Sequence, residues 1–246
     1  MTVTTESGGR QNAFPTETRP YIDESVSYDG YPQNAEKVKG RWAMIGKGEI
    51  LVVDDFVTLE YQEKIKQELL GLNNNFPWFY TEDVTGAGDY DSQHRPAMSH
   101  QYVIMDDDDV SEIESVYHHL FTPLLGKACQ YLKMPETKVL QGRSFLQFPL
   151  KNIDTSVVDT PHIDIDEGDE HIVVLYYVID SDGDTVIYNE RTESLTYTEK
   201  QRVTPKQGRV VIFEGGQYHT AEQPTKGTRC IVNYNLDYYY DDDYDD

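Results

Sequence analysis

Cysteine is scarce in this chain, which holds only Cys129 and Cys230 in 246 residues. Two thiols make no disulfide framework, and both are expected to behave as small core residues. Long apolar runs are also missing. No stretch of about 20 apolar residues is present to span a bilayer, and the N-terminus lacks the pattern of a secretory signal. These absences point to a soluble protein in a reducing, cytoplasmic compartment. Positive charge is in short supply, with 21 Lys and Arg against 44 Asp and Glu and a net charge of −23. That balance argues against non-specific affinity for nucleic acid or an anionic membrane, because phosphate binding needs clustered Lys and Arg. Much of the acid excess is local, in residues 106–109 and in the Tyr/Asp tail 237–246. Such blocks are solvated and self-repelling. No internal repeat is visible.

Residues 1–40 are rich in Ser, Thr, Gly, Pro, Glu and Asn and poor in aliphatics, so they read as a flexible arm. One domain is expected over 41–236, long enough for a substantial core. Residues 49–53 suggest a strand. Thr58 is placed to cap a helix with Tyr61, Ile65 and Leu69 on one stripe, ending at Gly71. From Trp78 to Met98 the pattern is that of a long loop, opened by the aromatic run Trp78, Phe79, Tyr80, a candidate lid or substrate contact if it does not simply pack. Residues 100–104 suggest another strand. Ser111 followed by Glu114 has the form of a capping box, which predicts a second helix from Ser111 with Pro123 kinking it or starting another. After Met134 the chain turns β-rich, so the fold class is α+β.

The chemistry concentrates in Pro161-His162-Ile163-Asp164, answered downstream by His219 and Arg229. Residues i and i+2 of a strand share a face, so His162 and Asp164 can aim at one point from backbone positions about 6–7 Å apart. With His219 they would form a set of two imidazoles and a carboxylate, which suits ferrous iron with coordination positions left open. Arg229, ten residues beyond His219, can offer a fixed fork to a carboxylate. One strand pair would then carry the third ligand and an anion clamp. A buried arginine without a partner is costly, so an inward Arg229 implies an anionic ligand or an acidic neighbour.

The order of motifs around these residues carries a resemblance. A buried strand, 173–178, ends in Tyr177-Val178-Ile179-Asp180; a turn and strand follow at Gly183-Asp184-Thr185-Val186-Ile187; then come Pro205-Lys206-Gln207-Gly208, the strand 209–213, His219 and Arg229. Over roughly 139–236 this resembles the Fe(II)- and 2-oxoglutarate-dependent oxygenases, nearest the prolyl 4-hydroxylase-like branch. The polar arm and acidic tail resemble members encoded by large bacteriophages, which would act in the host cytoplasm. The resemblance implies a double-stranded β-helix (jelly roll) with the early helices packed on one sheet. It implies His162, Asp164 and His219 as the Fe(II) ligands, Arg229 as the partner of 2-oxoglutarate, and Tyr177 as a residue bordering that cosubstrate. Many members of the branch carry Lys where Arg229 stands, which weakens any assignment as a strict prolyl hydroxylase. Dioxygen and an unknown protein or small-molecule substrate are the other expected partners, with ascorbate as a reductant. The reaction implied is hydroxylation of a C–H bond, in a peptide side chain such as proline or in a small metabolite.

Other readings bear on the same residues. A non-catalytic jelly roll, a binding or virion-associated structural protein, would keep the scaffold without the chemistry. A metal-only cupin-type dioxygenase would need no anion clamp at Arg229. Arg143 and Gln147 share a face before the motif and can meet cosubstrate or substrate, and Asp166 continues the face of Asp164 as a spare carboxylate. Residues 180–184 form a hairpin turn rather than a calcium loop, which would need a later glycine and a closing Glu. His94, His100, His118, His119 and His171 lack ligand spacing.

Overall fold

The computed structural model of the chain describes residues 45, 48–72, 75–84, 95–105, 111–134, 138–151, 159–165 and 171–237, with the backbone of 2–5 and 11–14. In order, the elements are β1 (Thr2–Thr5), β2 (Gln11–Phe14), β3 (Ile50–Val53), α1 (Leu59–Leu70), β4 (Phe79–Thr81), β5 (Ala97–Met105), β6 (Ser111–Ile113), α2 (His118–Tyr131), β7 (Val139–Gln147), β8 (His171–Tyr177), β9 (Thr185–Tyr188), β10 (Glu199–Val203), β11 (Val210–Glu214), β12 (His219–Ala221) and β13 (Arg229–Asp237). Strands β1 and β2 pair as an antiparallel hairpin, with Thr2 opposite Phe14.

A large antiparallel sheet runs β3-β11-β8-β13-β7-β5-β4, with β6 on β5, and a small one runs β10-β9-β12. The alternation of side chains along a strand builds two cores from one sheet. On β8, Ile172, Val174 and Tyr176 face the helices, where they join Ile65 and Leu69 of α1 and Phe121, Leu124 and Ala128 of α2. The intervening Val173, Leu175 and Tyr177 face the small sheet and pack with Ile187, Val203, Val211, Phe213 and Ile231. The result is the expected double-stranded β-helix with helices on one sheet. Because β8 is covered on both sides, every residue of it is buried, and the strand reads as one apolar run.

Helix α1 forms as its sequence dictates. Thr58 Oγ1 accepts from the backbone N–H of Tyr61 at 3.4 Å, the chain leaves the helix at Gly71, and Ile65 and Leu69 are buried, each burial stabilising by about 1.5–3 kcal/mol.

Two expectations fail. Ser111–Ile113 is strand β6 on β5, not the start of a helix, because the hairpin captures its backbone and the N–H of Glu114 donates to Tyr102 O at 2.9 Å. Helix α2 begins at His118 and carries Pro123 inside one continuous helix. The loop expected over 78–98 holds β4, an edge strand of the large sheet, paired with the start of β5. Trp78 packs inward, its Nε1 donating to Leu69 O at 3.1 Å, while Phe79 and Tyr80 are exposed.

Candidate metal centre and cosubstrate pocket

His162 and Asp164 do not lie on a regular strand. His162 joins the small sheet through one antiparallel bridge to His219, its N–H donating to His219 O at 3.0 Å and its carbonyl oxygen accepting in return from the N–H of His219 at 2.9 Å. Asp164 follows in a bend. The bridge still achieves what a strand would have done. It sets the two imidazoles side by side with ring centroids 4.7 Å apart, and the bend turns Asp164 back between them. His162 Nε2 lies 4.0 Å from Asp164 Oδ1 and His219 Nε2 lies 3.8 Å from Asp164 Oδ2. One donor atom from each residue falls within 4.8 Å of the others. No other such group of three His, Cys, Asp or Glu side chains occurs among the described residues.

The donor set fits a divalent metal. Each imidazole has Nδ1 against a backbone carbonyl, His162 at Thr160 O (3.3 Å) and His219 at Gln217 O (3.2 Å). Those bonds place the ring proton on Nδ1 and leave the Nε2 lone pairs facing Asp164. Burial pushes the pKa of His219 down to about 4, so the ring is neutral and able to ligate. Burial alone would raise Asp164, but the Arg143 guanidinium, the two imidazoles and the Asn233 hydrogen bond together outweigh it and hold the carboxyl well below the usual carboxylate range. Arg143 Nη2 donates to Asp164 Oδ1, and Asn233 Nδ2 donates to Oδ2 at 2.9 Å. Phe213 packs edge-on against His219 with centroids 5.0 Å apart.

Arg229 opens β13 and points inward, 2 % exposed. Its fork is fully aligned: Nε donates to Gly183 O (3.0 Å), Nη1 to Gln147 Oε1 (2.8 Å) and Nη2 to Thr185 Oγ1 (2.9 Å). All three acceptors are neutral, and burial lowers the arginine's pKa. The Tyr177 ring lies 5.9 Å from the Arg229 guanidinium carbon, and its hydroxyl donates to Thr185 Oγ1 at 2.7 Å. Thr185 Oγ1 therefore accepts two bonds, and its own proton is left to donate elsewhere. Gly183 is needed for this arrangement. A Cβ there would sit 2.6 Å from Glu222 O and 3.1 Å from Arg229 Cδ.

The structure thus brings His162, Asp164 and His219 together, and it gathers Arg229, Tyr177 and Gln147 into a second cluster. The third imidazole and the arginine do not share a strand pair, since β12 lies in the small sheet and β13 in the large one. Arg143 meets Asp164 and Gln147 meets Arg229. Sequence reasoning gave no role to Asn233 or Thr185. Asn233 was visible in principle, since 229, 231 and 233 alternate onto one face of β13. The turn near Asp182 holds no ligand set, its carboxylate accepting from the backbone of Thr225 and Lys226. His100 is tied to Pro77 O and Ser115 Oγ, and His118 to the Tyr234 hydroxyl. His94 and Asp166 lie outside the described residues, as do 238–246 of the tail and, apart from β1 and β2, nearly all of the N-terminal arm. Among the described residues no helix is long and apolar enough to cross a membrane.

Comparison with known proteins agrees with this geometry. Residues 155–237 match the model of the 2OG-Fe(II) oxygenase superfamily. No curated protein matches the chain in sequence. Among solved structures, an oxidoreductase of the 2OG-Fe(II) oxygenase family from Burkholderia pseudomallei superposes with a TM-score of 0.56 at 10 % identity, covering 78 % of this chain and 86 % of that one. The carbocyclase SnoK of nogalamycin biosynthesis gives 0.52 at 11 % identity over 76 % and 79 %. A prolyl hydroxylase from Trichoplax adhaerens, solved with a hypoxia inducible factor peptide, gives 0.50 at 11 % identity over 79 % and 84 %. At these identities the likeness is one of fold.

Proposed function

We propose that the chain is a member of the 2OG-Fe(II) oxygenase superfamily, whose model residues 155–237 match, that His162, Asp164 and His219 hold the iron and that Arg229 seats the cosubstrate. The enzyme is an Fe(II)- and 2-oxoglutarate-dependent dioxygenase. When bound, the iron and 2-oxoglutarate would activate dioxygen, the oxidant: one oxygen atom would go to succinate as 2-oxoglutarate loses carbon dioxide and the other to the hydroxylated substrate C–H.

The chain's own residues bind, orient and exclude water. The two Nδ1 contacts to backbone carbonyls fix the imidazole tautomers, and Asn233 and Arg143 fix the carboxylate. Arg229 is the observation that carries the cosubstrate assignment. A guanidinium 2 % exposed, bonded only to neutral acceptors among the described residues, is a costly burial that an anionic ligand offsets. The spare proton of Thr185 gives such a carboxylate a second donor, and Tyr177 orders Thr185 from behind. Gln147 turns its carbonyl to Arg229 and so keeps the fork in plane.

The working unit is a single oxygenase domain over 41–236, in the cytoplasm, or in the host cytoplasm for a phage-encoded member. Its substrate is a C–H bond in a peptide side chain such as proline, or in a small metabolite. The test is aerobic turnover of purified protein with Fe(II), ascorbate and 2-oxoglutarate. Succinate formed only with iron supports the reading. Absence of iron-dependent succinate, with candidate substrates and without, would favour a non-catalytic jelly roll.

A further inference from the structure

Fixing the Asp164 carboxylate does not use up Arg143. It stands on β7 opposite Asn233 of β13, two residues from Phe145, over whose ring its guanidinium lies at 5.3 Å. Its side chain is 19 % exposed, and its one ion-pair partner among the described residues is Asp164. When Asp164 ligates a divalent ion, its single negative charge is spent on that ion. The charges then do not close. Two guanidinium groups and a divalent ion face one carboxylate, and the two negative charges of 2-oxoglutarate leave one positive charge over. Among the described residues Arg143 also keeps a buried Nε–H without an acceptor, and the neighbouring Asn233, 4 % exposed, keeps a buried Oδ1 without a donor. Donor and acceptor sit side by side, cross-strand, next to the metal site. Asn233 cannot exchange its amide ends to relieve this, since the oxygen would then face the Asp164 carboxylate.

We infer that Arg143 is a substrate-binding residue that takes a carboxylate, so that the C–H bond oxidised belongs to an anionic substrate rather than to a neutral peptide side chain. Asn233 Oδ1 offers an acceptor beside it for an N–H of the same molecule. This rests on the iron and cosubstrate assignment above and narrows the substrate of that site.

The test uses the full chain loaded with Mn(II) in place of Fe(II) and with the non-reacting analogue N-oxalylglycine, and follows paramagnetic broadening of carbon-13 acetate by NMR. The result expected is saturable broadening at millimolar acetate, absent with acetamide, weakened at least tenfold in Arg143→Gln and partly restored in Arg143→Lys. Manganese and N-oxalylglycine binding are measured in each variant. If both bind to the wild-type chain and acetate is not broadened, or the broadening survives Arg143→Gln, the inference is overturned and the oxygenase reading stands. If neither manganese nor N-oxalylglycine binds to the wild type, the oxygenase assignment itself has failed. Loss of manganese in both variants would make Arg143 a positioning residue for Asp164, and that too overturns the inference. Displacement of acetate by free L-proline would place the carboxylate on a small amino acid. Displacement only by a capped peptide bearing a glutamate side chain would place it on a protein.

Discussion

Replacing Arg229 by Gln tests the cosubstrate seat. Gln retains one donor for the Gly183, Gln147 and Thr185 acceptors but removes the charge. Losing one partner of a buried ion pair costs about 3–5 kcal/mol. Part of that is recovered here, because the free protein no longer buries a guanidinium bonded only to neutral groups. A net loss of about 3 kcal/mol is expected, which is a rise of roughly two orders of magnitude in the KM for 2-oxoglutarate. The same loss is readable without turnover. At a concentration about 100 times its Kd, N-oxalylglycine should stabilise the manganese-loaded wild type by about 2.7 kcal/mol, and this shift in thermal denaturation should nearly vanish in the variant. Metal affinity should be little changed, since Arg229 makes no hydrogen bond to His162, Asp164 or His219. A KM within tenfold of wild type, with the thermal shift intact, would refute the assignment of Arg229.

Thr185→Val removes the hydroxyl whose proton is left for the ligand. The KM for 2-oxoglutarate should rise about tenfold, matching roughly 1–1.5 kcal/mol for one hydrogen bond, with metal binding unchanged in a titration. Gly183→Ala drives a Cβ against Glu222 O and Arg229 Cδ. It should destabilise by about 1–3 kcal/mol, seen as a lower Tm, and weaken 2-oxoglutarate binding. Hydrogen bonds from Arg209 and Lys206 hold the Asp54 carboxyl well below its ordinary range. Because its folded pKa is depressed, its small stabilisation is present above the ordinary carboxylate pKa and fades as pH falls below about 4. The Tm gap between wild type and Asp54→Asn should therefore hold from pH 7 to about pH 4 and begin to narrow only below that.

Much of this was legible in the sequence, for identifiable reasons. Helix α1 could be read from a cap, a stripe and a terminal glycine, all local signals. Strand β8 could be read from an unbroken apolar run because both its faces are covered. The three residues proposed to hold the metal, His162, Asp164 and His219, were picked out by residue type and order, and the structure brings them within 4.8 Å of one another. What stayed hidden depends on partners distant in sequence. Ser111 and Glu114 have the spacing of a capping box, yet pairing with β5 overrides it, as tertiary context does to local propensity. His162 was expected on a strand, but a single bridge and a bend do the same work. The contacts of Arg143 with Asp164 and of Thr185 with Arg229 join residues 21 and 44 positions apart, and nothing in either local pattern announces them.

The central claim is that three donors from separate places in the chain hold one iron with room for a chelating 2-oxoacid. Anaerobic titration tests it most directly. Fe(II) should bind at one per chain, and 2-oxoglutarate should then raise a visible charge-transfer absorption that saturates at one per iron, with both lost in Asp164→Ala. Iron binding and absorption that survive Asp164→Ala, or a wild-type chain that takes up no iron, would contradict it.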